Sequence, residues 1–349
     1  MSLSYEKAGV SIDTADAAKL QMAKTMATKD SRILHRPGAF AALFDASFPG
    51  ISHPVLVMKT EEPGSKQKIA FAHHRPASIA LDMIHHLIDD IIVVGAQPVA
   101  VQDCIVCGKL EKETVTQLVQ AINDACRAND CFLIGGETSE QPGVLEPGTY
   151  ILSSSIVGVV EKSKILDGST IHAGDTVLAV PSNGLHTNGY SLVRALMAAH
   201  AGLIAETLIN EKGQSETFLD AILKPHTCYY QAFKRLFDLP GLRGIAHITG
   251  GGIAGNLNRI LPGDLDARIV APDLRILPLF KRIRELGQVA DADMLRTFNC
   301  GIGMTIVCAP AAAASIVAHL AAFDLAAYPI GSIVAGGTGS VQYECTVKW

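Results

Sequence analysis

The feature that most restricts this chain is a turn. The apolar run 177–180 leads into Gly184-Leu185-His186-Thr187-Asn188-Gly189-Tyr190-Ser191-Leu192-Val193-Arg194, and a helix then continues through Leu196. A strand, a turn bracketed by glycines and a helix, in that order, expose backbone N–H groups at the helix start. An anion is favoured there, and the glycines let it approach the main chain. The same residues also read as an ordinary Asn-Gly turn in which His186 satisfies a loop carbonyl.

Periodicity divides the 349 residues into two halves. A polar N-terminal arm precedes a strand at 54–59, a helix at 77–94, a strand at 99–106, a helix at 112–129, and strands near Phe132 and at 150–160. The segment 161–174, with two glycines and several charges, reads as a linker. From Asp175 onward, strands near Val177, near Ala246, at 266–270 and at 304–307 accompany helices near Tyr190 and at 218–236, 253–260 and 311–323. The expectation is an α+β protein of two domains, residues 1–167 and 168–349.

With 48% hydrophobic residues, both halves have material for a core. A net charge of −5, no basic run and 5% aromatic residues argue against nucleic acid as the main partner, and small molecules are expected instead. The first thirty residues mix charges with apolar positions, which fits neither a signal peptide nor a membrane anchor, so a cytoplasmic location is expected. The eight cysteines lack the spacing of a disulfide framework, and Cys126, Cys131 and Cys308 read as buried thiols. Cys104 and Cys107 form a C-x-x-C, but in an extended run they point to opposite faces and have no second pair.

The helix at 77–94 carries Asp82, His86, Asp89 and Asp90 on one flank, against Leu81, Ile84, Ile88, Ile91 and Ile92 on the other. Two readings stay open: a solvated polar face, or converging hard oxygen ligands suited to magnesium.

Three further segments stand in sequence context with the 184–194 turn: Gly135-Gly136-Glu137-Thr138-Ser139-Glu140-Gln141-Pro142-Gly143, Ala246-His247-Ile248-Thr249-Gly250-Gly251-Gly252 and Met294-Leu295-Arg296-Thr297-Phe298-Asn299-Cys300-Gly301-Ile302-Gly303-Met304. Together with Ser4-Tyr5-Glu6-Lys7-Ala8-Gly9-Val10 they resemble the aminoimidazole ribonucleotide synthetase family, the phosphoribosylformylglycinamidine cyclo-ligases, from Ser4 through Gly331. The resemblance implies N-terminal domains whose strands pair across a homodimer into a closed β-barrel, and a C-terminal α/β domain. It also implies an ATP-dependent ring closure with Mg2+. The formyl oxygen of formylglycinamidine ribonucleotide takes the γ-phosphoryl group, an amidine nitrogen attacks the activated carbon, and phosphate leaves.

Carried over residue by residue, the resemblance gives His186, Asn188 and Lys66 catalytic roles. It assigns ATP and phosphate contacts to Thr60, Gly64, Ser65, Lys66, Asp103, Lys109, Gly135, Gly136, Thr138, His247, Thr249 and Gly250. It assigns magnesium to Glu61, Asp82, Asp90 and Glu137. Ser191, Arg194, Gly251, Gly252, Arg296, Asn299 and Gly301 also match the pattern.

The chain departs from the family on the nucleotide side. The usual Thr-Asp-Gly-Val-Gly-Thr-Lys stands here as Thr60-Glu61-Glu62-Pro63-Gly64-Ser65-Lys66. Glu62 places a carboxylate where a glycine lets backbone approach phosphate, and Pro63 removes an N–H donor. The glycine-rich loop upstream has become His35-Arg36-Pro37-Gly38-Ala39-Phe40-Ala41-Ala42-Leu43-Phe44, where Arg36 offers charge in place of glycine freedom. His85 and His86 lie outside the family pattern, and a His-x3-Asp spacing also suits a softer metal. Three functions fit these residues: a divergent cyclo-ligase, a paralogue that binds ligand without turning over ATP, and another ATP-using enzyme on the scaffold shared with formylglycinamidine ribonucleotide synthetase, selenophosphate synthetase, thiamine-phosphate kinase and a hydrogenase-maturation protein.

Overall fold

A computed structural model describes residues 12–28, 30–35 and 38–349, so Ser4 to Val10 and Arg36 lie outside the described residues. The chain divides into two compact units: one runs to Ile91 and resumes over Ala96–Ser163, and the other takes Ile92–Gly95 with Lys164–Trp349.

The first unit contains α1 (Ile12–Thr25), β1 (Pro54–Glu61), α2 (Lys66–Ala72), α3 (Pro76–Ile92), β2 (Gln97–Cys107), α4 (Lys112–Ala128), β3 (Phe132–Glu140) and β4 (Tyr150–Glu161). The expected polar arm is instead helical from Ile12 and packs on α4, where Arg127 donates to the Ala27 carbonyl at 2.7 Å. The sheet order is β1-β4-β2-β3, with β2 and β3 parallel and the other neighbours antiparallel. Val115, Leu118, Val119, Ile122 and Cys126 repeat at helical spacing and form the buried face of α4.

Helix α3 lies against β4. A Cβ on Gly158 would come within 2.7 Å of Ile91, and Ser154 donates to Met83 Sδ at 3.2 Å. Strand alternation leaves Leu56, Met58 and Ile151 on the other face, where Met58 is 69% exposed.

Of the two readings of the α3 flank, the solvated face does not hold: Asp82, His86 and Asp89 are buried along with its apolar residues. For Asp82 a lysine makes this possible. Lys66 is fully buried with its Nζ 2.9 Å and 2.8 Å from the two oxygens of Asp82. Burial pulls the Lys66 ammonium down in pKa, and the Asp82 carboxylate works against it.

The second unit contains β5 (Thr176–Pro181), α5 (Tyr190–Ala199), β6 (Thr207–Ile209), β7 (Ser215–Thr217), α6 (Phe218–Leu223), α7 (Tyr230–Phe233), β8 (Leu242–His247), α8 (Gly252–Leu257), β9 (Leu265–Val270), α9 (Pro278–Gly287), α10 (Asp291–Thr297), β10 (Ile302–Cys308), α11 (Pro310–Ala321), β11 (Tyr328–Ala335) and β12 (Val341–Glu344). Six of the strands form one sheet in the order β12-β9-β11-β5-β10-β8, and β6 pairs with β7. Strand β10 is buried along its whole length, as its run Ile302-Gly303-Met304-Thr305-Ile306-Val307-Cys308, with Thr305 its one polar residue, requires.

The helix expected over 218–236 is broken. Pro225 has no N–H to continue α6 and holds Lys224 in an extended conformation, φ −52° and ψ 129°. The loop that follows carries His226. No helix among the described residues is long and apolar enough to cross a membrane.

Asp82→Ala leaves a buried ammonium without its carboxylate and should cost about 3–5 kcal/mol of stability, measured by denaturant unfolding. An apolar replacement of both Lys66 and Asp82 should recover most of that loss; equal losses in single and double variants would contradict this account.

Candidate active site

In the first unit, β1 ends at Thr60 and Glu61, Gly64 turns the chain with φ 63°, and Ser65 precedes α2 without a side-chain cap bond. Thr60 Oγ1 pairs with Ser155 Oγ across the ladder at 2.8 Å. Lys59 stands two residues before Glu61 and shares its face of the strand. Its Nζ lies 2.9 Å from Glu61 Oε1 and 3.0 Å from Asp90 Oδ2, while His86 Nε2 is 3.7 Å and 3.6 Å from the same two oxygens. Burial pulls the Lys59 ammonium down, but bonds to Glu61 and Asp90 outweigh it and the net shift is upward.

The structure therefore brings Glu61, Asp90 and His86 together and gives Asp82 to Lys66. Glu137 lies apart from these contacts on β3, exposed and paired across the ladder with Cys104, its Oε1 accepting from the Thr138 N–H at 3.0 Å. Two carboxylates converging on one cation, here an ammonium, offer the hard oxygen donors that suit a divalent ion, and Lys59, 37% exposed, is free to swing aside.

Asp103 on β2 faces Gly136 on β3, and a Cβ on Gly136 would collide with the Asp103 carboxylate. A glycine is required there by close approach. Asp103 Oδ2 is buried without a hydrogen-bond partner, and burial pushes the carboxyl up to about 7, opposed by a bond from its own backbone N–H. Gly135 has more room, Thr138 Oγ1 is buried without a partner, and Lys109 is exposed just past β2, where its carbonyl accepts from Tyr150 Oη at 3.3 Å. The glycine-poor segment is pinned through His35: Nδ1 accepts from the Leu43 N–H at 3.0 Å and Nε2 donates to the Ile134 carbonyl at 2.9 Å.

In the second unit the three C-terminal motifs interlock. Asn299 Nδ2 donates to the Gly184 carbonyl at 3.0 Å, and its Oδ1 accepts from Ser182 Oγ at 3.2 Å and the Gly301 N–H at 2.9 Å. Gly189, with φ 80°, lies against the Phe298 ring, which would collide with any Cβ there. The Gly251 N–H donates to the Arg296 carbonyl at 3.0 Å, and a Cβ on Gly250 would sit 3.1 Å from Asn188 Oδ1. Asn256 Nδ2 donates to the Gly252 carbonyl at 2.8 Å, holding the glycine turn, and its Oδ1 accepts from Thr249 Oγ1 at 3.2 Å. Arg194 Nε is buried without a hydrogen-bond partner.

His186 adopts φ 58° and is buried, its ring stacked on His226 with centroids 3.7 Å apart. His226 Nε2 lies 3.2 Å from His247 Nε2 at the end of β8. Tyr229 Oη donates to the Pro181 carbonyl at 2.8 Å, and β10 makes room for both Tyr229 and His186 by placing Gly303 beneath them. Sequence reasoning missed Lys59, His226 and Tyr229. The signals were available: Lys59 is at strand spacing from Glu61, and Pro225 interrupts the apolar period that suggested one helix.

The fold is that of proteins related to aminoimidazole ribonucleotide (AIR) synthase: the family model described as "AIR synthase related protein, N-terminal domain" matches residues 45–160, and its C-terminal counterpart matches 172–344. A phosphoribosylformylglycinamidine cyclo-ligase of Methylobacillus flagellatus is 38% identical over 98% of this chain and 97% of its own length; one of Burkholderia vietnamiensis is 40% identical over 97% and 95%. Solved structures of similar fold include thiamine-monophosphate kinase from Stenotrophomonas maltophilia, with a TM-score of 0.66 at 18% identity over 97% of this chain and 96% of that one. Escherichia coli HypE gives a TM-score of 0.67 at 17% identity over 94% and 93%. A HypE structure in complex with ATP gives a TM-score of 0.64 at 17% identity over 88% and 84%. The chain belongs to the phosphoribosylformylglycinamidine cyclo-ligase family.

A carboxyl raised in the folded state, from 3.8 to about 7, makes the native protein hold a proton that the unfolded chain has already lost. Asp103 therefore contributes a fall in stability as pH rises from about 4 to about 7, with no further fall above it. Asp103→Asn should remove that fall, so urea midpoints of variant and wild type should diverge progressively across this window. Parallel midpoints would show that Asp103 titrates normally.

Proposed function

We propose that the chain is an ATP-dependent ligase that closes formylglycinamidine ribonucleotide to aminoimidazole ribonucleotide in purine biosynthesis. The observation that carries this reading is the interlocked set of 184–194, 246–252 and 294–304, knitted by Asn299, Phe298 and Asn256 into one body. His186 and Asn188 position the reacting amide, and Thr249, Gly250 and His247 bind the ribonucleotide phosphate. Phosphoryl transfer gains most from positioning and neutralised charge, so no covalent nucleophile is needed.

On the nucleotide side, Glu61 and Asp90 would hold Mg2+, whose charge, when it is bound, offsets that of the ATP phosphates. Lys109 is exposed and available for phosphate, Lys59 would become so on leaving Glu61 and Asp90, and Lys66 is committed to Asp82 and supports the loop from within. Thr60, Gly64 and Ser65 shape the nucleotide loop, with Asp103, Gly135, Gly136 and Thr138 on the neighbouring strands and Glu137 as a further acid. The enzyme works in the cytoplasm. The open face bearing Leu56, Met58 and Ile151 supports a homodimer through the first unit, since paired copies would cover it and the β1 edge.

One observation favours a second reading: Lys59 and Lys66 already pair with Glu61, Asp90 and Asp82, and Glu62 adds repulsion toward phosphate, as in a paralogue that binds ligand without turnover. The two readings separate in one assay. ADP release with magnesium-ATP should depend on formylglycinamidine ribonucleotide and proceed at roughly one per second or faster, and His186→Ala should lower kcat about 100-fold or more. Release absent with and without substrate would leave only the second reading. Light scattering of the purified protein should give the mass of a dimer; a monomer at micromolar concentration would remove the paired-face assignment.

A further inference from the structure

We propose that His186, His226 and His247 form a binding site for a borderline divalent transition metal, with Zn2+ as its best occupant. The three residues come from separate places in the second unit: the turn after β5, the loop between α6 and α7, and the end of β8. All three are buried, and one ring nitrogen from each lies within 4.8 Å of the others. Tetrahedral zinc with Zn–N bonds of about 2.0–2.1 Å holds neighbouring nitrogens about 3.3 Å apart. His226 Nε2 and His247 Nε2 are already at 3.2 Å, so His186 supplies the third donor by a ring turn out of its stack on His226.

The surroundings fix how His226 presents itself. Its Nδ1 lies 2.9 Å from the Thr227 carbonyl, and a carbonyl only accepts, so Nδ1 carries the hydrogen and Nε2 of the neutral ring carries the lone pair. That is the arrangement metal-bound histidines use: one nitrogen donates to a backbone carbonyl and the other binds the ion. Without an ion, His247 Nε2–H donates to His226 Nε2. A metal held there would need His247 as its Nδ1–H tautomer, so that Nε2 of both rings could bind the ion.

Three imidazoles without thiolate or carboxylate suit zinc, cobalt or nickel and disfavour magnesium, which prefers hard oxygen. Three protein ligands leave a fourth position for water or an anionic oxygen. The site shares His186 and His247 with the proposed ring closure, and its existence is tested by metal binding rather than by turnover.

The test uses the full-length protein stripped of metal with chelator. Titration with Co2+ should produce the visible d–d bands of a four-coordinate ion at about one equivalent per chain, and Zn2+ should abolish them. Loss of an outer partner of a metal-binding histidine already costs 10–100-fold in affinity, so His226→Ala should weaken Zn2+ by roughly 100-fold or more. X-ray absorption of the wild-type zinc complex needs no variant and should report three imidazole nitrogens and no sulfur. Unchanged affinity in His226→Ala, a six-coordinate cobalt spectrum, or a sulfur shell would each overturn the proposal.

Discussion

The second unit depends on one side-chain amide. Asn299 makes three hydrogen bonds in a buried place, joining the turn that leaves β5 to the turn that enters β10. The strands themselves already pair, but strand pairing does not fix where their exit loops go. A buried amide with geometrically defined partners does, because each lost bond would leave a polar group unsatisfied in a low dielectric. With those loops tied, Phe298 meets Gly189 and the Arg296 carbonyl meets the Gly251 N–H, so residues far apart in sequence hold fixed places around His186.

Much of this was legible beforehand for physical reasons. Strands such as β5 and β10 are mostly apolar runs, and α4 is written in its 3.6-residue period. The 184–194 turn announced its left-handed positions through its glycines, and Gly189 does take φ 80°. Other features were hidden because they depend on partners distant in sequence. The flank of α3 looked like a surface because periodicity counts charges and cannot see that Lys66 would bury Asp82. The helix before residue 28 read only as a polar arm because its weakly apolar face gains its value only against α4. His226 was read as part of a helix because apolar residues flank Pro225 on both sides, although proline's missing donor interrupts the helix there.

The two units hold their motifs in different ways. In the second unit, glycines at 189, 252 and 303 are held by contact with neighbouring atoms, so replacing any of them moves a ring or a carbonyl. In the first, Glu62 is exposed while Pro63 and Lys66 close to it are buried, so the nucleotide loop is open to solvent on one side only.

Lys59 adds a chemical condition of its own on that side. Its ammonium is tied by a few bonds to the strand that also carries Glu61, so the cation position between Glu61 and Asp90 faces a permanent occupant at an effective concentration of about millimolar or more. A dissolved ion does not simply fill this place; it must displace a competitor that never diffuses away. A lysine two residues upstream of an acid thereby sets a threshold of ionic supply below which the two carboxylates keep their tethered partner.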